Sequence, residues 1–72
     1  MISITGTVQF ISLEGGSFAI RGDSGTTYDP MNLSAEYQQA GLRVRVKARV
    51  RADQVSARMS GPVIEILTIE KM

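Results

Sequence analysis

Between Leu42 and Arg51 apolar and basic residues alternate without a break: Leu42, Val44, Val46, Ala48 and Val50 against Arg43, Arg45, Lys47, Arg49 and Arg51. The two sets separate only at a period of two, so the segment is predicted as a β-strand with one buried face and five cations on the other. The same period runs through the N-terminus, where Ile2, Ile4, Val8 and Phe10 alternate with Ser3, Thr5, Thr7 and Gln9. Gly6 falls on the apolar face of that strand. A glycine there marks a sharp bend or a close backbone approach, and a strand coiled around a small barrel is the expected geometry. Ile11 and Leu13 are out of phase with it, which a bulge after Phe10 would reconcile.

Glu14, Gly15 and Gly16 predict a turn into a second strand with Phe18 and Ile20 on one face. Asp23, Ser24 and Gly25 suit a three-residue hairpin loop with Gly25 left-handed, a register that sets Ile20 opposite Tyr28. Pro30 ends the third strand because it cannot donate to a ladder. From Met31 to Gly41 the period changes: Leu33, Tyr37 and Ala40 recur at helical spacing, Ser34 or Asn32 can cap the start, and Gly41 suits the end. This predicts a helix of about two turns. After the basic strand, a turn at Ala52 and Asp53 leads to Val55, Ala57 and Met59 alternating with Ser56, Arg58 and Ser60. Gly61 and Pro62 break that strand. A β-branched segment from Val63 to Ile69 follows, its apolar phase switching from even (Ile64, Ile66) to odd (Leu67, Ile69).

Three strands, a short helix and two more strands, the last one kinked, predict an all-β fold with one short helix. The expected architecture is a five-stranded OB-fold-type Greek-key barrel with the helix between its third and fourth strands. By this element order, and by Gly6-Thr7-Val8 on a bent first strand, the chain resembles the OB-fold superfamily along nearly its whole length. Within it, Gly6-Thr7-Val8, Leu13-Glu14-Gly15-Gly16 and Tyr28-Asp29-Pro30-Met31-Asn32-Leu33 look like a group of small uncharacterised prokaryotic proteins, a likeness that implies no activity. Gly6-Thr7-Val8 and the strand from Phe18 to Ile20 are also similar to bacterial translation initiation factor 1, an OB-fold RNA binder of similar length. That family's basic, histidine-containing segment between third and fourth strands corresponds here to Asp29 through Ala40, which holds no basic residue. The resemblance therefore implies a shared fold rather than a shared function.

A chain of 72 residues is expected to form one domain, spanning 1–72. Such a domain buries only about 60% of its unfolded surface. Cysteine and histidine are both absent. That excludes disulfides, thiol chemistry, zinc fingers, Cys-His and Ser-His catalysis and most transition-metal sites, and no cofactor is implied. With 8 basic and 7 acidic residues the net charge is +1, so any electrostatic function depends on where the charges stand. No run reaches the length of a membrane span, and residues 1–10 lack the basic start and long apolar run of a signal peptide. The expectation is a protein without a membrane span, cytoplasmic unless an export leader has been removed.

A tight turn at Ala52 and Asp53 would set Ala48 against Ala57 and Val46 against Met59, and with them Ser56, Arg58 and Ser60 opposite Arg49, Lys47 and Arg45. The other neighbour of a fourth OB strand is the first, whose outward residues are Ser3, Thr5, Thr7 and Gln9. Neither flank then supplies a carboxylate, and Lys47 beside Arg58 is a like-charge pair that costs stability. The expected site is thus the outward face of Arg43, Arg45, Lys47, Arg49, Arg51 and Arg58, with cations about 6.6 Å apart along the strand. Its partner would be single-stranded nucleic acid or an acidic protein surface. The bland alternative is a charged face that keeps the sheet soluble and guards it against edge pairing.

OB-folds stack bases on exposed aromatics of the second and third strands. Here the alternation assigns Phe10, Phe18, Tyr28 and Tyr37 to the interior, so nucleic-acid contact would be weak and indifferent to sequence. Gly15-Gly16 reads as a turn rather than a phosphate cradle, because no Lys-Ser/Thr follows. Asp29 and Asn32 read as turn and cap residues, and Glu14, Asp23 and Asp53 as ordinary turn acids. Glu65 and Glu70 are the acids expected nearest each other, and they flank no recognisable cleft. The functional expectation is a small non-enzymatic OB-type binding or interaction module. Two alternatives stand beside it: single-stranded nucleic-acid binding through Arg43 to Arg51, and a small hydrolase, which is disfavoured because no nucleophile has a base beside it.

Overall fold

The computed structural model describes residues 1–12, 15–53 and 61–72. Five strands, β1 (Ile2–Ile11), β2 (Ser17–Gly22), β3 (Thr27–Pro30), β4 (Arg43–Val50) and β5 (Val63–Lys71), close into a barrel in the order β1-β2-β3-β5-β4. All neighbours are antiparallel except β3 and β5, which pair in parallel through Asp29 with Val63 and Pro30 with Ile64. The expected all-β barrel is therefore present. No helix among the described residues is long and apolar enough to cross a membrane.

β1 is shared between two ladders. Its first half pairs with β4, from Ile2 with Ala48 to Thr7 with Arg43, and its second half with β2, from Gly6 with Gly22 to Ile11 with Ser17. Gly6 and Thr7 belong to both, which places the bend of the strand at the glycine. A Cβ on Gly6 would run into the Arg21 carbonyl oxygen of β2, the close backbone approach that its place on the apolar face predicts. The β2–β3 hairpin has the expected register, Ile20 opposite Tyr28, with Gly25 at φ 102°.

The core follows the alternation of β1 and β4: Ile4, Val8, Val44, Val46 and Ala48 are buried, joined by Ile20 and Ile64, while Phe18 and Ile66 pack partly buried against them. Arg43, Arg45, Lys47 and Arg49 point outward. Phe10 does not follow the pattern. At 54% exposure it stands open to solvent although it is on the same face of β1 as Val8, because β1 runs past the rim of the barrel and Val8 is its last inward side chain to reach the core.

The partner of β4 also differs from the expectation. Ala48 faces Ile66 and Val46 faces Ile69, where Ala57 and Met59 were expected. A register shift lies opposite Lys47/Ala48, so that Ile66 pairs with Ala48 and Thr68 with Lys47. That bulge explains the change of apolar phase within β5: Leu67 is the extra residue and is exposed, and Ile69 turns back inward. β1 stays in register with β2 through Ile11 opposite Ser17, without the bulge expected after Phe10. The strand expected over Val55, Ala57 and Met59, and the residues Leu13 and Glu14, lie outside the described residues.

Between β3 and β4 the expected two-turn helix is a single 3₁₀ turn, Ala35–Tyr37. Starting a helix is costly, and this segment satisfies its polar groups in other ways. The Asn32 side chain donates to the Ile66 carbonyl and accepts from the Ile66 amide, at 3.0 and 2.8 Å, capping the free edge of β5. Tyr37 donates its hydroxyl to the Ile69 carbonyl, Gln38 its side-chain amide to Leu33, and Gln39 its side-chain amide to Glu36. Leu33 and Tyr37 thus face the barrel as a helical spacing would have them do, along a segment stretched across its end.

Candidate functional site

The ladder of cations on β4 meets acids that come from elsewhere in the chain. Arg43 makes a bidentate pair with Asp23 of the β2–β3 hairpin, at 2.7 and 2.8 Å, and also donates to the Thr7 hydroxyl. Arg45 pairs with Glu70, which stands opposite it on β5. Arg51 is held between Asp53 and Glu65, at 3.1 and 3.2 Å. The β1 flank is Ser3, Thr5 and Thr7, without the Gln9 also expected there, which pairs with Ala19 of β2; the other flank carries Glu65 opposite Arg49 and Glu70 opposite Arg45. The expectation of a flank without carboxylates is therefore overturned, since it rested on the wrong partner strand. Lys47 and Arg49 are the members of the described ladder that have no ion pair among the described residues. Arg58 lies outside the described residues. Glu65 and Glu70 are not a pair: they stand opposite Arg49 and Arg45, four residues apart on β4 and so about 13 Å from each other.

The pairing shows in the titration of the groups. The hydrogen-bonded Arg43 guanidinium holds the Asp23 carboxyl below the ordinary aspartate range, and Asp23 in turn raises Arg43. Arg51 is raised, first by its hydrogen bond to Asp53 and then by Glu65. Because the folded Asp23 value is depressed, its contribution to stability is present above the unfolded value and is lost as pH falls through the folded one. The loss lies on the acid side of ordinary aspartate, and the contribution is small, because both partners are solvent-exposed. Carboxyl-carbon NMR should find the Asp23 midpoint below that of an ordinary aspartate in the native protein and back at the ordinary value in Arg43→Gln. Equal midpoints would disprove the pairing.

A second feature lies at the end of the barrel where β1 leaves the core. Phe10, Gly15, Gly16, Ser17, Phe18, Pro30, Met31, Leu33 and Gln38 line a cleft of about 460 Å³. The rings of Phe10 and Phe18 meet edge to face, with centroids 5.4 Å apart at 65°. Gly16, at φ 93°, lets the Phe10 ring approach its backbone closely, since a Cβ there would overlap the ring. Met31 is 50% exposed beside them. The Ser17 hydroxyl oxygen is shielded from solvent and has no hydrogen-bond partner among the described residues. Unsatisfied buried hydroxyls are uncommon, because each forfeits the hydrogen bonds it had in water.

Sequence periodicity missed this cleft. Phe10 sits on the apolar face of its strand, and only the height of the barrel decides that it overshoots the core. The phase change after Phe10 is the one local sign that the strand's pattern ends there. Comparison with family models, with curated proteins and with solved structures finds no match to this chain.

Proposed function

We propose that this chain is a non-enzymatic binding module built on an OB-type barrel, and that it takes its ligand in the cleft at the Phe10 rim. The OB-type reading is supported by the strand order, the parallel β3–β5 seam and the 3₁₀ turn between β3 and β4. The binding site is argued from one observation: the open Phe10 ring, held edge to face on Phe18 in a concave surface where apolar side chains stand among exposed polar groups. Against catalysis, Asp23, Glu65 and Glu70 are committed to arginines, which removes them as a free acid and base.

Single-stranded nucleic acid on β4 is a second reading, supported by Lys47 and Arg49, which have no ion pair among the described residues. Two free cations imply a slope of log affinity against log salt of about −1.4, where a ladder of five or six would give roughly −3 to −4. Titrating the ¹⁵N-labelled chain with a chemically mixed fragment set, and separately with a mixed-sequence oligonucleotide, distinguishes the two readings. Fragment-induced shifts at Gly16, Ser17, Phe18, Met31 and Gln38 are expected. Shifts confined to β4, lost in Lys47→Glu with Arg49→Glu, would move the function to the basic face, and a cleft silent to every fragment would overturn the proposal.

A further inference from the structure

Outside the cleft, the exposed cations of the barrel are unevenly served. Lys47 and Arg49 are neighbours on the outer face of β4, about 6.6 Å apart, and both are exposed. Glu65 stands opposite Arg49 but gives its carboxylate to Arg51, and Thr68 stands opposite Lys47. On the other flank Ser3 faces Lys47, and β1 holds no acid. Of the chain's 7 acidic residues, Asp23, Asp53, Glu65 and Glu70 already hold Arg43, Arg51 and Arg45, and Asp29 is buried. Glu36 sits in the 3₁₀ turn before β4 and makes no ion pair among the described residues. Residues 54–60 include no Asp or Glu, so that stretch cannot supply the missing charge. Two like charges held side by side repel, and an anion from outside the chain would relieve them.

The surroundings of the pair choose the anion. The outward residues of β1 and β4 include no aromatic ring, so a nucleobase would find nothing there to stack on and nucleic acid would be held by its phosphates alone. A polymer charged on every unit would also carry its next charges on to Glu70, beside Arg45, and to Glu65. An extended peptide avoids both costs. It sets alternate side chains on one face at the spacing of β4 itself, and it can place neutral residues where the barrel is acidic. The carboxylate is also the group that guanidiniums of this face already bind, Arg43 through two bonds to Asp23 and Arg45 through one to Glu70.

We infer that this face of β4 docks an extended, acidic segment of a partner protein, whose carboxylates two residues apart fall on Lys47 and Arg49. The exposed Ser3 hydroxyl, opposite Lys47, donates to the first of them. The surface is separate from the Phe10 cleft, and neither reading depends on the other. Arg21 is exposed and has no ion pair among the described residues, but it stands opposite Thr7, two strands over and roughly 15 Å from Lys47. It adds to the positive field without touching the segment.

The test is an NMR titration of the ¹⁵N-labelled full chain at low salt with three probes. The first is a capped octapeptide with two glutamates separated by one serine among neutral residues, and the second is the same peptide with its glutamates adjacent. The third is a thymidine trinucleotide, whose two phosphodiesters carry the same charge. The separated glutamates should shift the amides of Ser3, Lys47 and Arg49 with a Kd of about 1–10 mM, the range that two exposed ion pairs support. Adjacent glutamates point to opposite sides of an extended chain, so the second peptide should bind about threefold more weakly, and the trinucleotide likewise. Lys47→Gln with Arg49→Gln should keep the melting temperature, since both side chains are exposed, and weaken the first peptide at least about fivefold. Arg21→Gln should weaken it by less than about twofold.

Equal affinities for the two peptides, an unchanged affinity in the double variant, or an equal loss in Arg21→Gln would show a diffuse field in place of a docking face and overturn the inference. A trinucleotide that binds as tightly as the first peptide would overturn it in favour of nucleic acid. No shift with the first peptide at about 50 mM would overturn it as well, and would leave the reading of the cleft untouched.

Discussion

Gly6→Ala is expected to lower the stability of the barrel by about 3 kcal/mol, the upper end of what an added methyl costs in a packed interior. The new Cβ would meet the Arg21 carbonyl carbon and oxygen and the Gly22 Cα, all of them backbone, so no side chain can rotate away to make room. Relief would require β1 and β2 to separate at the residue where β1 passes from one ladder to the other. A chain of this length has roughly 4–11 kcal/mol of stability in all. The melting temperature should therefore fall by about 12–24 °C. Urea denaturation followed by circular dichroism measures this directly. A loss under about 1 kcal/mol would show that the two strands do not cross as closely as described.

Ile64→Ala should be comparably severe, at about 2–5 kcal/mol. Ile64 is fully buried and stands where the barrel closes, paired with Val50 on one side and with Pro30 on the other. The parallel seam it serves has only two register pairs, supplemented by the Asp29 amide donating to Pro62 and the Met31 amide donating to Ile64. The cavity left by the truncated side chain thus falls beside a two-pair ladder which, unlike the equally short β2–β3 hairpin, has no tight turn to hold its geometry. Hydrogen exchange distinguishes this from a general loss of stability. The amides of Asp29 and Met31 should lose more protection than those of the β1–β4 ladder, and a uniform loss would contradict the placement of the weak seam.

The outward face of β4 shows where local reading stops. That Arg45 and Lys47 point to solvent follows from a period of two along one strand, which holds whatever the neighbours are. What neutralises them does not. Asp23 reaches Arg43 from 20 residues away and Glu70 reaches Arg45 from 25. The expectation of an unneutralised ladder came from choosing the nearest segment in sequence as the partner of β4, as loop-closure entropy recommends. The structure pairs β4 with the later segment instead, and two carboxylates come with it.

The Phe10 cleft has the same origin. A strand's pattern tells which side each residue is on and says nothing of how far along the strand the core extends. Ser17, Met31 and Gln38 have no local property that marks them; they matter because the ends of β1, β2 and β3 come together at one rim. The spacing of Leu33 and Tyr37 did identify the residues that face the barrel, although a single 3₁₀ turn ending at Tyr37, with Leu33 ahead of it, stands where a two-turn helix was expected.

The sequence by itself therefore determined what depends on short-range sterics and periodicity: the strands Ile2–Ile11 and Arg43–Val50, the inward set of Ile4, Val8, Val44 and Val46, the bend at Gly6 and the Ile20–Tyr28 hairpin register. Only the tertiary structure decided which strand lies beside β4, which cations keep an ion-pair partner, and that Phe10 stands over an open cleft. These depend on strand pairings between residues far apart in the chain. Such pairings are selected by the burial of the whole barrel at once, and alternation within one strand is compatible with several of them.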